Sequence, residues 1–161
     1  MAEAPEVRIE PPKVEVYEDA YVKLRKRVLE WAQSKTGAKH SYLDVLLAAP
    51  DLLHLLYRLM LDPDVRGADK AKLAGAFAYF VTPVDLIAEA FVGPIGYLDD
   101  VALAAFVLSQ IIRHNPEAVE RNWAGDQNVI ALIERILARA EVMLGPRVWK
   151  LLKRRAQRDD N

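Results

Sequence analysis

The sequence lacks cysteine and has little glycine or proline, with 7 and 9 of these residues among 161. The absence of cysteine excludes a disulfide scaffold, a thiolate zinc site, an iron–sulfur cluster and a cysteine nucleophile. So few glycines and prolines exclude a fibrous or loop-built protein, and 52% hydrophobic residues exclude a disordered chain. A chain of this length and composition is expected to form one compact domain.

Long hydrophobic runs are also absent. The apolar run at 73–81 is shorter than the roughly 20 residues that a membrane-spanning helix needs, and the run at 101–112 has 12 residues. The first residues are acidic and are followed by no apolar stretch, which is unlike a secretory signal. We therefore expect a cytoplasmic protein, with peripheral contact to a membrane as a further option.

Charge of one sign is not in excess, because the net charge is -1, but the charges are segregated along the chain. Residues 1–20 and 59–112 each carry a net charge of -4, whereas residues 21–58 and 147–161 each carry +4. The near-neutral total gives no general argument for a nucleic acid partner. The acidic middle and the basic end are the features that a function has to explain.

Apolar residues recur at helical spacing, and no segment alternates as a strand would. Helix start signals occur at Ser41, at Pro50 for a helix ending at Leu61, and at Asp126. The stripe of the first helix, over 16–36, consists of Tyr17, Tyr21, Leu24, Val28 and Trp31. We predict an all-α fold, a bundle of about six to eight helices with a buried central helix near 71–81. An extended arm over 1–15 precedes this single domain over 16–161.

The most informative stretch is residues 79–100. Thr82, Pro83 and Asp85 have the pattern of a helix N-terminus, in which the threonine caps and the carboxylate reaches back to a backbone N–H. Glu89 follows Asp85 by four residues, so both carboxylates would share one helix face.

Four carboxylates in this stretch leave several interpretations open. In the first interpretation, each carboxylate caps a helix and needs no cofactor. In the second, two of them form an acid pair with a raised pKa. In the third, all four bind a hard cation. In the last case the ion would be Mg²⁺, Ca²⁺ or Mn²⁺, as in a metal-dependent hydrolase. The four residues are Asp85, Glu89, Asp99 and Asp100.

Two motifs in this stretch, Thr-Pro-Val-Asp-Leu-Ile at 82–87 and Gly-Tyr-Leu-Asp-Asp at 96–100, follow a segment that begins Pro-Asp-Leu-Leu at 50–53. At this spacing the chain resembles the bacterial YkvA-like family, a domain of unknown function, over residues 50–112. The resemblance implies a compact helical module and no reaction. The matching positions are Tyr79, Pro83, Asp85, Leu86, Ile87, Gly96, Asp99 and Asp100. The family usually continues with a proline and an acid where this chain has Ala88 and Glu89, which weakens the transfer of a shared acidic site.

Motifs of other chemistries are missing. His40, His54 and His114 are far apart, and none belongs to a zincin-like pattern of zinc ligands. We interpret His54, on an apolar helix, as a core or rim residue. No nucleophile elbow, phosphate loop or dinucleotide fingerprint occurs, so we expect a non-enzymatic function.

The last segment of the chain is basic and amphipathic. Its cations would contact an anionic membrane surface or nucleic acid phosphates, or remain in water while Val148, Leu151 and Leu152 pack onto the core. The six cations are Arg147, Lys150, Lys153, Arg154, Arg155 and Arg158. We predict a helical interaction module with an unidentified protein partner and an optional anionic membrane contact, and we do not expect a nucleic acid partner. The alternative is a divalent-metal-binding protein that uses the central carboxylates.

Overall fold

The computed structural model describes residues 10–34, 39, 41–86, 98–144, 150 and 154. Within these residues the chain forms seven helices and no strand, which confirms the all-α prediction. The helices are α1 (Val14–Gln33), α2 (Leu43–Leu47), α3 (Ala49–Leu61), α4 (Gly67–Leu86), α5 (Leu98–His114), α6 (Pro116–Asn122) and α7 (Val129–Leu144). None of these helices is both long enough and apolar enough to cross a bilayer.

The core is built around α3, which packs against α1, α2, α4, α5 and α6. The helix has Pro50 in its first turn, as predicted, where the missing N–H costs no hydrogen bond. Its fully buried leucines are Leu52, Leu53, Leu55, Leu56 and Leu59. Truncating any one of them to alanine is expected to cost about 2–5 kcal/mol.

The helix predicted near 71–81 lies within α4, which packs on α3 and α5 and also contacts α1. It buries Leu73 and Phe77 on one face, whereas Ala71, Gly75 and Tyr79 on the other face are exposed. The helix is therefore central in its contacts, with one face in the core and one at the surface.

The predicted stripe of α1 faces the core, with Tyr17, Leu24 and Val28 buried and Tyr21 and Trp31 packed at its edge. The helix begins at Val14, so the last two positions of the predicted arm are helical. Residues 1–9 of that arm lie outside the described residues.

Two predicted caps are displaced along the chain. Helix α2 begins after Tyr42 rather than after Ser41. Helix α7 begins at Val129, and its cap is Asn128, whose Oδ1 accepts from the Ala131 N–H at 2.9 Å, instead of Asp126. Asparagine caps as well as aspartate does, and Asn128 has the required position directly before the helix.

Helices α4 and α5 are antiparallel, and so are α5 and α7. This arrangement brings particular helix ends together. The start of α4 lies beside the end of α5, where Asp69 contacts His114. Ala102 of α5 packs in one cluster with Ala140 of α7, so the end of α7 lies beside the start of α5. The end of α4, the start of α5 and the end of α7 therefore share one end of the bundle.

Candidate functional site

The predicted helix N-terminus at Thr82 is wrong. Helix α4 continues without a break through Thr82, Pro83 and Asp85 and ends at Leu86. A proline inside a helix removes one hydrogen bond, but the packing of α4 on α3 and α5 outweighs that local signal. Asp85 thus occupies the last turn of a helix, where the macrodipole gives a carboxylate no stabilisation.

The four predicted carboxylates are only partly placed by the structure. Asp99 and Asp100 lie in the first turn of α5, as predicted, and the Asp100 side chain is buried, with 5% of its residue surface exposed. Glu89 and the side chains of Asp85 and Asp99 fall outside the described part. The shared site of Asp85, Glu89, Asp99 and Asp100 therefore remains a prediction.

A polar cluster that the sequence did not predict lies at the opposite end of the bundle, around the buried carboxylate of Asp62. Its Oδ2 accepts from Arg121 Nη2 and from Asn122 Nδ2, each at 2.7 Å, and its Oδ1 accepts from the Asp64 N–H at 2.9 Å. Arg121 also donates to the exposed Asp64 carboxylate at 3.2 Å. These bonds fasten the α3–α4 loop to α6.

The environment of Asp62 changes its acidity. Burial raises the pKa of its carboxyl, but the hydrogen bonds from Arg121, from the Asp64 backbone and from Asn122 outweigh burial and lower the pKa to about 2. The ionised form is thus strongly favoured in the folded chain. This arrangement stabilises the fold, because the donors around the carboxylate are already hydrogen-bonded to it.

A second buried carboxylate, Asp69, lies close by in the first turn of α4, with 3% of its side chain exposed. His114 Nε2, at the end of α5, is 2.6 Å from Asp69 Oδ2, and Arg66 Nε donates to the same oxygen at 3.3 Å. We call Asp62, Asp69, His114, Arg121 and Asn122 the ion-paired end of the bundle.

Sequence reasoning missed this end because its partners are far apart in the chain. Asp69 and His114 are separated by 45 residues, so no local spacing marks them as a pair. One usable signal was present at Asn115 and Pro116, the cap and first residue of α6, where Asn115 Oδ1 accepts from the Ala118 N–H at 3.3 Å. This pattern predicts a helix start, but not the ion pairs that surround it.

His54 lies in an aromatic cluster between α1, α3 and α4, as its interpretation as a rim residue predicted. Its Nδ1 is hydrogen-bonded to the Tyr17 hydroxyl, and the Tyr17 ring stacks on Tyr57 with centroids 4.1 Å apart. Burial, and then the nearby Arg58 charge, lower the pKa of His54. Burial likewise raises the pKa of Tyr17 to about 12, so both groups stay neutral near pH 7.

An open groove of about 320 Å³ separates the first turns of α1 from the second half of α4. It is lined by Glu15, Val16, Asp19, Ala20 and Val81. Among the described residues its walls are aliphatic and its two charged groups are both carboxylates, of which Asp19 pairs with Lys23 at 3.0 Å. We call this feature the α1–α4 groove; it lies at the end of the bundle opposite to the ion-paired end.

No three histidine or acidic side chains in the described part of the chain are arranged to hold a metal ion. The buried carboxylates Asp62 and Asp69 contact protein donors instead, at the ion-paired end. What the described geometry offers to a ligand is therefore a surface groove rather than a converging set of reactive groups.

Comparisons with known proteins find similarity over part of the chain. A family model described as "Protein of unknown function (DUF1232)" matches residues 69–106, from the first turn of α4 to the middle of α5. "Uncharacterized protein ORF9" of Methanothermobacter thermautotrophicus is 29% identical over 113 residues, which are 70% of this chain and 77% of that protein. No solved structure matches the chain. The chain is thus similar to a helical domain of unknown function, and neither printed name gives an activity.

Proposed function

We propose that this chain is a non-enzymatic helical interaction module that binds an anionic membrane surface peripherally through its basic C-terminal segment, residues 147–158. The observation that carries the proposal is the placement of Lys150 and Arg154. Both have helical backbone and both are exposed. Residues four apart share one face of a continuous helix.

The chemistry of the segment fits such a surface. Its cations would interact with anionic headgroups, each contributing about 1 kcal/mol near a phosphatidylserine-rich membrane. The aliphatic residues at 148, 151 and 152 recur at helical spacing and would enter the headgroup region. The proposal also includes a cytoplasmic location. It further includes a closer relationship to the YkvA-like family, which the two motifs at 82–87 and 96–100 support.

The non-enzymatic part of the proposal is supported by how the described charges are used. Asp62 and Asp69 bind Arg121 and His114 across helices, and Arg139 of α7 pairs with Asp44 at 2.9 Å. These groups stabilise helix packing, and a catalytic role would require them to face a substrate.

Sedimentation with lipid vesicles tests the membrane contact. The protein should sediment with vesicles that contain phosphatidylserine and remain in solution with phosphatidylcholine vesicles. Added salt should release it, because exposed charges are screened over roughly 10 Å at 0.1 M salt. Lys150→Glu combined with Arg154→Glu should abolish sedimentation.

A matched control is Arg25→Glu combined with Lys26→Glu, which changes the net charge equally at exposed positions on α1. The control should still sediment. Equal loss in both variants would contradict a contact through the C-terminal segment. If the unchanged protein ignores anionic vesicles and instead forms a complex with a protein, the membrane proposal is wrong.

A second proposal is the divalent-metal site of Asp85, Glu89, Asp99 and Asp100. The specific observation in its favour is Asp100, a buried carboxylate in the first turn of α5. An oxygen-only set would suit Mg²⁺, Ca²⁺ or Mn²⁺. Its test is a stability measurement, given at the end of the Discussion.

A further inference from the structure

Helix α1 has exposed aliphatic residues on its outer face. Of the eight large hydrophobic side chains that are exposed in the described part of the chain, four belong to this helix. Val22 is 63% exposed and Leu29 is 44% exposed. These two residues are seven positions apart, so they lie on one face, which is turned away from the buried Leu24. Two aliphatic residues define no contact by themselves, but the charges around them do.

The charges around Val22 are separated by sign along α1. Acidic residues precede Val22 and basic residues follow it, in the order Glu15, Glu18, Asp19 and then Lys23, Arg25, Lys26, Arg27. The four that flank Val22 by three or four positions are all exposed, namely Glu18, Asp19, Arg25 and Lys26. Asp19 pairs with Lys23 of its own helix at 3.0 Å, and such an exposed pair contributes little stability and exchanges partners readily. A helix with this order of charges is complementary to a second copy of itself in the reversed direction.

Two copies of α1 that pack antiparallel about a two-fold axis at Val22 match these charges in pairs. The axis places Val22 beside Val22 of the second copy. Because the positions four before and three after Val22 lie on one side of the seam, Glu18 comes opposite Arg25 of the second copy. On the other side, Asp19 comes opposite Lys26 of the second copy. The symmetry repeats both pairs, so each copy presents its acidic residues to the basic residues of the other.

The same arrangement brings Leu29 to the α1–α4 groove of the second copy. Leu29 follows Val22 by seven positions and Glu15 precedes it by seven, so the antiparallel pair places Leu29 level with Glu15 of the second copy. Glu15 lies at the groove, whose walls are aliphatic among the described residues. Aliphatic surface that is exposed in each copy would therefore lie near aliphatic surface of the other.

We propose that α1 is the contact surface of a homodimer, in which the outer faces of two α1 helices pack antiparallel around Val22. A helix of 20 residues is about 30 Å long, so the contact is expected to be smaller than a standard interface of roughly 1,600 Å². Such a dimer is weak, with a Kd in the micromolar range, and added salt weakens it further. The dimer does not depend on the membrane contact, because residues 147–158 are no part of the α1 surface.

A single cysteine tests the position of the two-fold axis, because the chain has no cysteine of its own. Val22→Cys should form an intermolecular disulfide under mild oxidation, since the axis brings the two side chains together. Val142→Cys is the matched control, because Val142 is 77% exposed on α7 and is thus no less accessible. The dimer raises the local thiol concentration, so the Val22→Cys disulfide should form at least about 10-fold faster than the control disulfide. Equal rates would overturn the proposal.

Charge reversal tests the pairing of acidic with basic residues. Glu18→Lys with Asp19→Lys makes the four flanking positions basic, and Arg25→Glu with Lys26→Glu makes them acidic. In analytical ultracentrifugation at about 200 µM, above a micromolar Kd, each variant should be monomeric and the unchanged chain should dimerise. An equimolar mixture of the two variants should form a heterodimer, because opposite charges again face each other in every pair. The mixture also controls for folding, since misfolded variants would not rescue each other. A monomeric mixture, or an unchanged chain that stays monomeric, would contradict the dimer.

The vesicle measurement separates the dimer from the proposed function. At about 0.1 µM protein, well below a micromolar Kd, the chain is monomeric. Under this condition Arg25→Glu with Lys26→Glu should sediment with anionic vesicles as the unchanged chain does. Dimerisation without vesicle sedimentation would support the dimer and contradict the membrane contact. Vesicle sedimentation of a chain that never dimerises would support the membrane contact and overturn the dimer.

Discussion

Two pairs of carboxylates, at opposite ends of the bundle, are used in opposite ways. At the ion-paired end, Asp62 and Asp69 are almost fully buried, and each lies within hydrogen-bond distance of side chains of another helix. At the other end, Glu15 and Asp19 line an open groove.

The comparison shows that burial, and not residue type, decides what a carboxylate does in this fold. A buried charge without partners costs several kcal/mol, so Asp62 and Asp69 are retained together with their donors. Exposed carboxylates carry little such cost and remain available to a mobile or external cation. The pair of Asp62 and Asp69 thus contributes to stability, whereas the pair of Glu15 and Asp19 is suited to binding.

The largest expected effect comes from removing the central carboxylate of the ion-paired end. Asp62→Ala deprives Arg121, Asn122 and the Asp64 N–H of their acceptor. The free energy of unfolding should fall by about 3 kcal/mol, the lower end for breaking a buried pair, because Arg121 is half exposed and regains water. Urea unfolding measures this loss.

Asp64→Ala is the matched control for that change. Its side chain is 71% exposed and accepts from the same Arg121 nitrogen at 3.2 Å. The expected loss is below about 1 kcal/mol, as for other surface pairs. Equal losses for the two variants would show that burial does not distinguish these carboxylates.

Acid should weaken the same end of the bundle. The pKa of Asp62 is about 2 in the folded chain and 3.8 as its ordinary value, so the unfolded chain binds the proton more readily. The stabilisation is present above pH 3.8 and is lost as the pH falls toward 2. It amounts to about 1–2 kcal/mol after allowance for partial solvent screening.

Urea unfolding at a series of pH values, on the unchanged chain and on Asp62→Ala, isolates this contribution. The difference between the two free energies should shrink as the pH falls from 4 toward 2. A difference that stays constant over this range would mean that Asp62 titrates alike in the folded and unfolded chain.

Much of the fold was predictable because helical spacing reports burial. The stripe from Tyr17 to Val28 and the leucine-rich helix after Pro50 are both found in the core. Local signals failed where tertiary packing competes with them, as at Pro83, which α4 incorporates instead of starting a new helix. A cap signal gives the preference of a few residues and contains nothing about the neighbouring helices.

The candidate sites were less predictable for a related reason. Asp62 and Arg121 are 59 residues apart, and a single sequence does not show which distant charges meet. The acidic stretch at 85–100 attracted attention because its members are close along the chain, yet its described member, Asp100, is buried in α5. Proximity in sequence identified a charge concentration, whereas the pairing of charges required the packed helices.

A metal titration would show whether a cation binds the four predicted carboxylates, as protein groups bind the carboxylates of the ion-paired end. If Asp85, Glu89, Asp99 and Asp100 bind Mg²⁺, Ca²⁺ or Mn²⁺, a cation at about ten times its Kd raises the free energy of unfolding by about 1.4 kcal/mol. Thermal unfolding with each chloride salt, and with a chelator, measures the gain. Asp100→Asn should remove it, whereas Asp62→Asn, altered at the ion-paired end, should keep it despite a lower starting stability. No gain with any of the three ions, or an equal gain in both variants, would contradict the metal site, because a specific ligand stabilises only through the residues that hold it.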